Sequence, residues 1–233
     1  MSEPTIDEQY EICIDDCKGM DLPINERLSA MANGVRRITP EFAEMVDRMI
    51  EHLKRCGAGA STPSIGGRIP EFVLPDENGR LISLSQLLKT SQVVIAFHRG
   101  HWCPYCRINA DALAKIEAEV KAASGQLVIV MPETQKFTRL LKAEAGATYP
   151  ILTDMDNGYA LELNLAIVID DEQQAFMTQE GWEFSTFQNN TNWIVPIPAT
   201  FVIDQNGMIK GRFVDPDYRK RMEIDDLLAA LNK

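Results

Sequence analysis

The feature that most constrains this chain is a buried strand that leads directly into two cysteines at the start of a helix. Residues 93–97 read VVIAF, an unbroken apolar run typical of a strand covered on both faces. A short loop then leads to the tetrapeptide Cys-Pro-Tyr-Cys at 103–106, and apolar residues at helical spacing follow. A thiol at a helix start faces unpaired amide groups and the positive end of the helix dipole. Both favour the thiolate, which is the nucleophilic form.

The two cysteines therefore predict redox chemistry. Cys103 and Cys106 are three residues apart on one helical turn, so they can close a disulfide that stores two electrons. Arg99 and Arg107 are close enough in sequence to stabilise a thiolate if they point inward. The structural alternative is a pair of core thiols at a helix start, and we prefer the redox interpretation.

A zinc site is a second alternative. His98 or His101 could join the two cysteines, but a structural zinc ion needs four ligands, usually from a second pair. Cys13 and Cys17 could supply that pair only from a distant helical segment. At helical spacing they are more simply core residues, and Cys56 is expected to be structural as well. We therefore predict no metal and no cofactor.

Composition narrows the function classes. The chain has 233 residues and a formal net charge of −11, which argues against nucleic acid or an anionic membrane as a partner. Five cysteines, an odd number, fit poorly with a secreted disulfide scaffold. The N-terminus is acidic and lacks a signal-peptide pattern, and no apolar run is long enough to span a bilayer. We expect a cytoplasmic protein.

Two regions are expected along the chain. Residues 1–63 form a helical N-terminal extension and linker, with Thr39 as an N-cap residue before Pro40. Residues 64–233 alternate strands with helices, and one long helix is predicted over 103–123. Strands at 199–204 and 208–214 are joined by a Gln-Asn-Gly turn, and a helix over 224–231 follows. The pattern predicts an α/β domain with a central mixed sheet flanked by helices.

Several segments resemble one known family. They are Arg-Ile-Pro-Glu-Phe at 68–72, Arg-Gly-His-Trp-Cys-Pro-Tyr-Cys at 99–106, Pro-Ile-Leu-Thr-Asp at 150–154 and Pro-Ala-Thr-Phe-Val-Ile-Asp at 198–204. Together they resemble the peroxiredoxin-like branch of the AhpC/TSA family, over roughly residues 65–233. The resemblance implies a thioredoxin fold, an antioxidant thiol enzyme and a Cys103/Cys106 dithiol–disulfide cycle. It also implies a cis-proline at Pro198 opposite the cysteines, with Arg99 and Trp102 supporting the thiolate or the substrate.

The sequence departs from the peroxiredoxin pattern at two positions. That family has a threonine three residues before its oxidised cysteine, where this chain has Cys103, and an arginine about where this chain has Pro198. Arg99 is a candidate substitute. By peroxiredoxin logic Cys106 is oxidised and Cys103 resolves the intermediate. By thioredoxin logic Cys103, expected to be the more exposed thiol, attacks a disulfide and Cys106 resolves it, so the order stays open.

Three functions follow. The first is a thiol peroxidase for hydrogen peroxide or an organic hydroperoxide, and the second is a thiol–disulfide oxidoreductase. Both need an external thiol reductant of the thioredoxin, glutaredoxin or glutathione type. The third is a redox sensor whose dithiol switches a partner interface. His98 and His101 could tune the thiolate, while Trp182 and Trp193 are expected in the core. The resemblance suggests a homodimer.

Overall fold

The computed structural model describes residues 4–182 and 184–233. Its helices are α1 (Ile6–Gly19), α2 (Ile24–Ile38), α3 (Pro40–Arg55), α4 (Leu84–Leu88), α5 (Pro104–Lys115), α6 (Glu117–Ala122), α7 (Gln135–Ala145), α8 (Gly158–Glu162), α9 (Asp171–Gln179), α10 (Phe184–Gln188) and α11 (Ile224–Leu231). Its strands are β1 (Val73–Pro75), β2 (Leu81–Ser83), β3 (Gln92–Phe97), β4 (Gly125–Met131), β5 (Ile151–Thr153), β6 (Ala166–Val168), β7 (Ile194–Pro196), β8 (Ala199–Ile203) and β9 (Ile209–Val214). No helix within these residues is both long and apolar enough to cross a bilayer.

A mixed sheet forms the centre of the fold. Its strand order is β5-β4-β3-β8-β9, with β3, β4 and β5 parallel and β8 and β9 antiparallel to their neighbours. The predicted hairpin between β8 and β9 is confirmed, and Gly207 in its turn has a φ of 80° that favours glycine. Short pairs, β1–β2 and β6–β7, lie outside this sheet.

The central strand shows why both faces of the sheet are covered. Side chains alternate along a strand, and in β3 they divide between two cores. Val94 and Ala96 pack in the cluster that contains α5, α7 and α11 residues, whereas Val93, Ile95 and Phe97 pack in the opposite cluster. This arrangement confirms the predicted α/β thioredoxin fold with a mixed sheet flanked by helices.

The N-terminal helices pack against the helix that carries the cysteines. A capping box between Thr5 and Glu8 begins α1, and Pro40 occupies the first turn of α3. A third core cluster joins residues of α1, α2 and α3 to Cys103 and Cys106. The predicted helical extension is thus present and shares a core with the α/β region. A boundary at residue 63 stays a prediction.

Two local predictions are corrected. Thr39 precedes α3, but its hydroxyl bonds to Tyr10 and to the Val35 carbonyl instead of capping that helix. The helix expected over 103–123 is divided into α5 and α6, because Ile116 leaves helical dihedral angles. Glu117 then reaches the backbone amide of Thr148 at 3.1 Å, which fixes the new direction. Apolar spacing alone does not mark such a break.

Candidate active site

The two predicted catalytic cysteines lie together at the start of α5. Strand β3 ends at Phe97, the loop 98–102 follows, and Cys103 is the residue immediately before the helix. Both thiols are free and nearly inaccessible, with Cys103 1% and Cys106 0% exposed. Cys103 was expected to be the more exposed of the two thiols, and the difference between them in exposed fraction is only 1% against 0%. Cys103 does line a cavity, as described below.

Cys106 sits in an environment that favours its thiolate. Its Sγ accepts hydrogen bonds from the backbone amide of Arg99 and from Nη2 of Arg221, each at 3.3 Å, and from the Cys103 thiol. Burial alone would raise the pKa of Cys106. The Cys103 hydrogen bond and the Arg221 charge outweigh that effect and hold the pKa well below its ordinary value.

Cys103 has the opposite character. Burial and the hydrogen bond it donates to Cys106 raise the pKa of the Cys103 thiol well above its ordinary value. Its side chain makes no capping bond to the amides of α5. The hydrogen bonds from Cys103, Arg221 and the Arg99 amide therefore activate the second thiol of the motif, whereas burial leaves the first one protonated.

Arg221 is the functional residue that the sequence analysis missed. It lies in the loop before α11, is 2% exposed, and comes 115 positions after the cysteine it contacts. Its Nη1 donates to the carbonyls of Tyr218 at 2.5 Å and Lys220 at 2.7 Å. Its Nε has no partner in the described residues. Asp-Pro-Asp-Tyr-Arg at 215–219 signalled a turn, but no local pattern marked Arg221 as inward-facing.

Arg99 and Trp102 both lie at the site, as predicted. The Arg99 guanidinium stacks over the rings of Trp102 and Tyr218, at 4.8 and 3.9 Å from their centroids. It is the backbone amide of Arg99 that touches the Cys106 sulfur. Trp102 packs edge-on against Phe184, with the ring centroids 5.3 Å apart. These stacks fix the loop that points the amide at the thiolate.

His98 interacts electrostatically with Cys106, whereas His101 and Arg107 pair with carboxylates beside the site. His98 is fully buried beside Asn109, whose amide nitrogen is 2.9 Å from Nε2. Burial lowers the pKa of His98 to about 4, so the ring is neutral at physiological pH. His101 contacts Glu144, and Arg107 pairs with Glu144 and Glu11. They belong to an ion network beside the site.

Glu133 is a second buried charged group that sequence reasoning did not identify. It follows β4 and is 0% exposed. One carboxyl oxygen accepts from the His101 amide at 2.6 Å and Oε1 has no partner among the described residues. Burial raises the pKa of Glu133 to about 8. The carboxyl holds the loop that carries Arg99 and Trp102.

Replacing Glu133 by glutamine should change how stability depends on pH. Between the carboxyl's ordinary pKa of 4.5 and about 8, the folded protein keeps a proton that the unfolded chain has lost. Wild-type stability therefore falls as pH rises, and from about pH 6.5 to 8 the loss should be about 1–2 kcal/mol larger than in Glu133→Gln. Urea unfolding across this range measures it.

The lowered pKa of His98 makes the stability rise with pH between about 4 and 6.5, and this contribution is the same in wild type and in Glu133→Gln. The exposed Glu162→Gln variant should behave as wild type. Parallel stability curves for wild type and Glu133→Gln would show that Glu133 is ionised in the folded protein.

A cavity of about 600 Å³ opens beside the motif. Cys103 lines it and Cys106 does not, so Cys106 lies directly behind the Cys103 thiol. The wall is mainly apolar and aromatic. It is formed by residues of α1, α2, α3, α5, α7 and α9, by the loop before α5, and by Gly181, Trp182, Thr186, Phe187 and Tyr218. Trp182, predicted as a core residue, is half-buried and lines this cavity.

The structure also bears on Pro198 and on the three cysteines outside the motif. The described peptide bonds are all trans, that before Pro198 included, so the expected cis-proline is wrong; trans is the ordinary state of an X-Pro bond. Pro198 directly precedes β8. Cys17 is buried and Cys13 half-buried in the N-terminal core, whereas Cys56 is exposed. Within the described residues no group of three or more His, Cys, Asp or Glu side chains could hold a metal ion.

Solved structures share this fold. The peroxidoxin BcpB of Mycobacterium tuberculosis matches with a TM-score of 0.57 and 20% identity, over 72% of this chain and 96% of that one. Peroxiredoxin 6 of Arenicola marina, solved as a cysteine-to-serine mutant, has the same TM-score at 16% identity, over 72% of each chain. Xylella fastidiosa PrxQ, also a cysteine-to-serine mutant, has a TM-score of 0.53 at 14% identity, over 66% of this chain and 87% of that one.

Sequence comparison gives a relative and a family. The thiol-disulfide oxidoreductase ResA of Bacillus subtilis (strain 168) is 31% identical over 100 residues, which are 42% of this chain and 55% of ResA. The match thus spans about half the length of that curated relative. The family model described as AhpC/TSA matches residues 65–212, which include both cysteines. The chain therefore belongs to the AhpC/TSA family.

Proposed function

We propose that this protein is a thiol peroxidase in which Cys106 is oxidised and Cys103 closes the disulfide. The observation that carries the proposal is the pair of donors on Cys106 Sγ, the Arg221 guanidinium and the Arg99 amide, each at 3.3 Å. They hold a buried thiolate ready to attack. The guanidinium expected from the peroxiredoxin pattern, and not evident in the sequence, is thus supplied by Arg221.

The first step forms a sulfenic acid. The Cys106 thiolate attacks the terminal oxygen of a hydroperoxide, the O–O bond breaks, and Cys106 becomes Cys–SOH while an alkoxide or hydroxide leaves with the electron pair. The leaving oxygen takes a proton and departs as alcohol or water. Arg221 Nε, a buried donor without a partner among the described residues, is available to hydrogen-bond a peroxide oxygen during this step.

The second step closes the disulfide. The Cys103 thiol, already hydrogen-bonded to Cys106, attacks the sulfenic sulfur and expels water. The net change is dithiol plus hydroperoxide to disulfide plus alcohol plus water. Two electrons from an external thiol of the thioredoxin, glutaredoxin or glutathione type restore the dithiol. In a yeast mitochondrial 1-Cys peroxiredoxin, which matches this fold with a TM-score of 0.52, the thiol is resolved via glutathione/thioredoxin systems.

Thiol–disulfide exchange is the second candidate function, and one observation favours it. Cys103 lines the cavity whereas Cys106 does not, so a bulky disulfide meets Cys103 first. ResA, the curated relative, is named for that activity. Against it stands the raised pKa of Cys103, which leaves this thiol protonated and weakly nucleophilic.

We also propose a cytoplasmic location and a homodimer.

The test follows oxidation of the reduced protein by peroxide in wild type, Cys103→Ser and Cys106→Ser. Stopped-flow tryptophan fluorescence, with Trp102 next to the motif, gives the rate, and intact mass gives the product. We expect a fast reaction in wild type that ends in a disulfide. Cys103→Ser should react at a similar rate but gain one oxygen, and Cys106→Ser should lose the fast reaction, by about a thousandfold.

Cys56→Ser is the matched control, since Cys56 is a free but exposed cysteine outside the site, and it should react as wild type does. A wild type that is inert to peroxide but rapidly oxidised by a disulfide, through Cys103, would establish exchange in place of peroxidase activity.

A further inference from the structure

We propose that Tyr10, Phe42 and Trp182 form an aromatic recognition surface that makes this site selective for hydroperoxides with an aryl body. The inference deepens the proposed peroxidase function and depends on it, because it names the substrate that Cys106 would reduce. Nothing in the chemistry of the dithiol itself requires such a surface.

The size of the cavity is the first argument. Hydrogen peroxide has two heavy atoms, and the O–O group is all that the thiolate attacks. The cavity of about 600 Å³ is in the range of sites, about 300–1,000 Å³, that bury drug-sized organic molecules. Most of this volume is available to the part of a substrate that does not react.

The geometry of the three rings is the second argument. Phe42 and Trp182 meet edge to face, with centroids 5.6 Å apart at an interplanar angle of 88°. The Tyr10 ring lies 6.3 Å from that of Trp182 at 57°. All three residues are half-buried and line the cavity, so they present ring surface to it. Rings at differing angles can offer faces and edges to another aromatic ring, an arrangement such pairs prefer.

The charged groups at the cavity are mixed. Asp7 and Glu11 place carboxylates in the wall, and Arg99 places a guanidinium there that stacks on Trp102 and Tyr218. Arg107 is paired with Glu11 and Glu144, so its charge is already balanced. With a formal net charge of −11, the protein repels anions at long range, and an uncharged aryl hydroperoxide meets no such repulsion.

The position of the three residues in the chain shows where this selectivity arises. Tyr10 lies in α1 and Phe42 in α3, both outside residues 65–212 that match the family. Cys103 lines the same cavity from within the family region. Trp182 lies within residues 65–212. The N-terminal helices therefore share the recognition surface with the family region, which supplies the chemistry, and a ligand held between them has Cys103 in its wall.

The experiment compares three oxidants on the reduced protein: cumene hydroperoxide, tert-butyl hydroperoxide and hydrogen peroxide. We expect wild type to react about tenfold faster with cumene hydroperoxide than with its tert-butyl analogue, the gain expected from an aromatic contact and its burial. Trp182→Ala should abolish this preference, by slowing the reaction with cumene hydroperoxide about tenfold. Trp182→Phe should restore most of it. Trp193→Ala, a tryptophan that does not line the cavity, should keep the wild-type preference.

A binding measurement separates this inference from the proposed function. The product 2-phenylpropan-2-ol carries no peroxide bond, so calorimetry can follow its binding to a Cys103→Ser/Cys106→Ser protein. We expect binding that Trp182→Ala weakens about tenfold. Absent binding, or equal rates with both organic peroxides, overturns the inference, while a fast reaction with hydrogen peroxide would leave the peroxidase proposal standing. Binding without reaction of any peroxide overturns the proposed function, and this substrate assignment falls with it.

Discussion

Replacing Arg221 by glutamine is expected to slow oxidation of Cys106 at pH 7 by about a hundredfold, the usual cost of removing one preorganised donor from a reacting charge. Arg221 supplies the only full positive charge that hydrogen-bonds the Cys106 sulfur within the described residues. Glutamine keeps a donor but loses the charge. The thiolate then has less support against a burial that disfavours it.

The pH dependence of the oxidation rate distinguishes a loss of thiol activation from a disturbance of the folded structure. In wild type the pKa of Cys106 lies well below its ordinary value, so the thiolate is already formed and the rate should be flat through neutral pH. In Arg221→Gln the pKa rises, so the rate should increase with pH toward and beyond the ordinary thiol value of about 8.5. Iodoacetamide alkylation of a Cys103→Ser background, followed by the mass of the peptide that contains Cys106, reports the thiolate of Cys106 separately from the other free cysteines.

Two further variants control for folding. Arg221 also donates to the carbonyls of Tyr218 and Lys220, so its removal can disturb the loop. Arg221→Lys keeps the charge and should recover part of the rate, whereas Arg219→Gln, whose arginine pairs with Asp47 and Asp217, should leave the thiol pKa unchanged. A flat pH profile in Arg221→Gln would refute its role as thiol activator.

Gly100→Ala should be the most destabilising single-methyl change in the active-site loop, by about 3 kcal/mol or more. Gly100 has a φ of 149°, which side chains rarely adopt. A Cβ there would lie 2.6 Å from Trp102 Nε1 and 2.7 Å from the Glu133 carboxyl. Glu133 and the Nε1 atom of Trp102 are both buried, so the loop itself must move. Urea unfolding at neutral pH measures the loss.

Gly79→Ala is the matched control for backbone strain. Gly79 also has a positive φ, 81°, but no atom lies within 4 Å of the position its Cβ would take. Its substitution should cost about 1 kcal/mol, the strain of the left-handed conformation alone. Equal losses at the two glycines would mean that the contacts of Gly100 with Trp102 and Glu133 do not limit the loop.

The elements predicted well are those encoded by nearby residues. The buried strand β3, the hairpin after β8 and the final helix all follow from periodicity and turn residues within a few positions, and the structure has each of them. The dithiol was found in the same way. Local patterns work here because strand burial, turn geometry and helix starts are set by neighbouring residues.

The chemistry of the site could not be read locally. The helix start was expected to activate a thiol of the motif without deciding which one. The pKa of Cys106 is lowered because Cys103 donates to its sulfur and Arg221 reaches it from a distant loop. Glu133 likewise follows another strand. Trp182 was assigned to the core because apolar patterns predict that a side chain is buried. They do not predict whether one face of that side chain borders a cavity. Each of these outcomes depends on tertiary packing that no spacing rule contains.

The position of Arg221 has a consequence for how this protein can be divided or transplanted. A fragment cut after Arg212, where the match to the family ends, would retain both cysteines and the complete tetrapeptide. It would lack Tyr218, which stacks on Arg99, and Arg221, whose guanidinium hydrogen-bonds the Cys106 sulfur. The tetrapeptide alone therefore does not carry the activated thiol. Transferred to another protein without Arg221, it would be an ordinary pair of buried thiols.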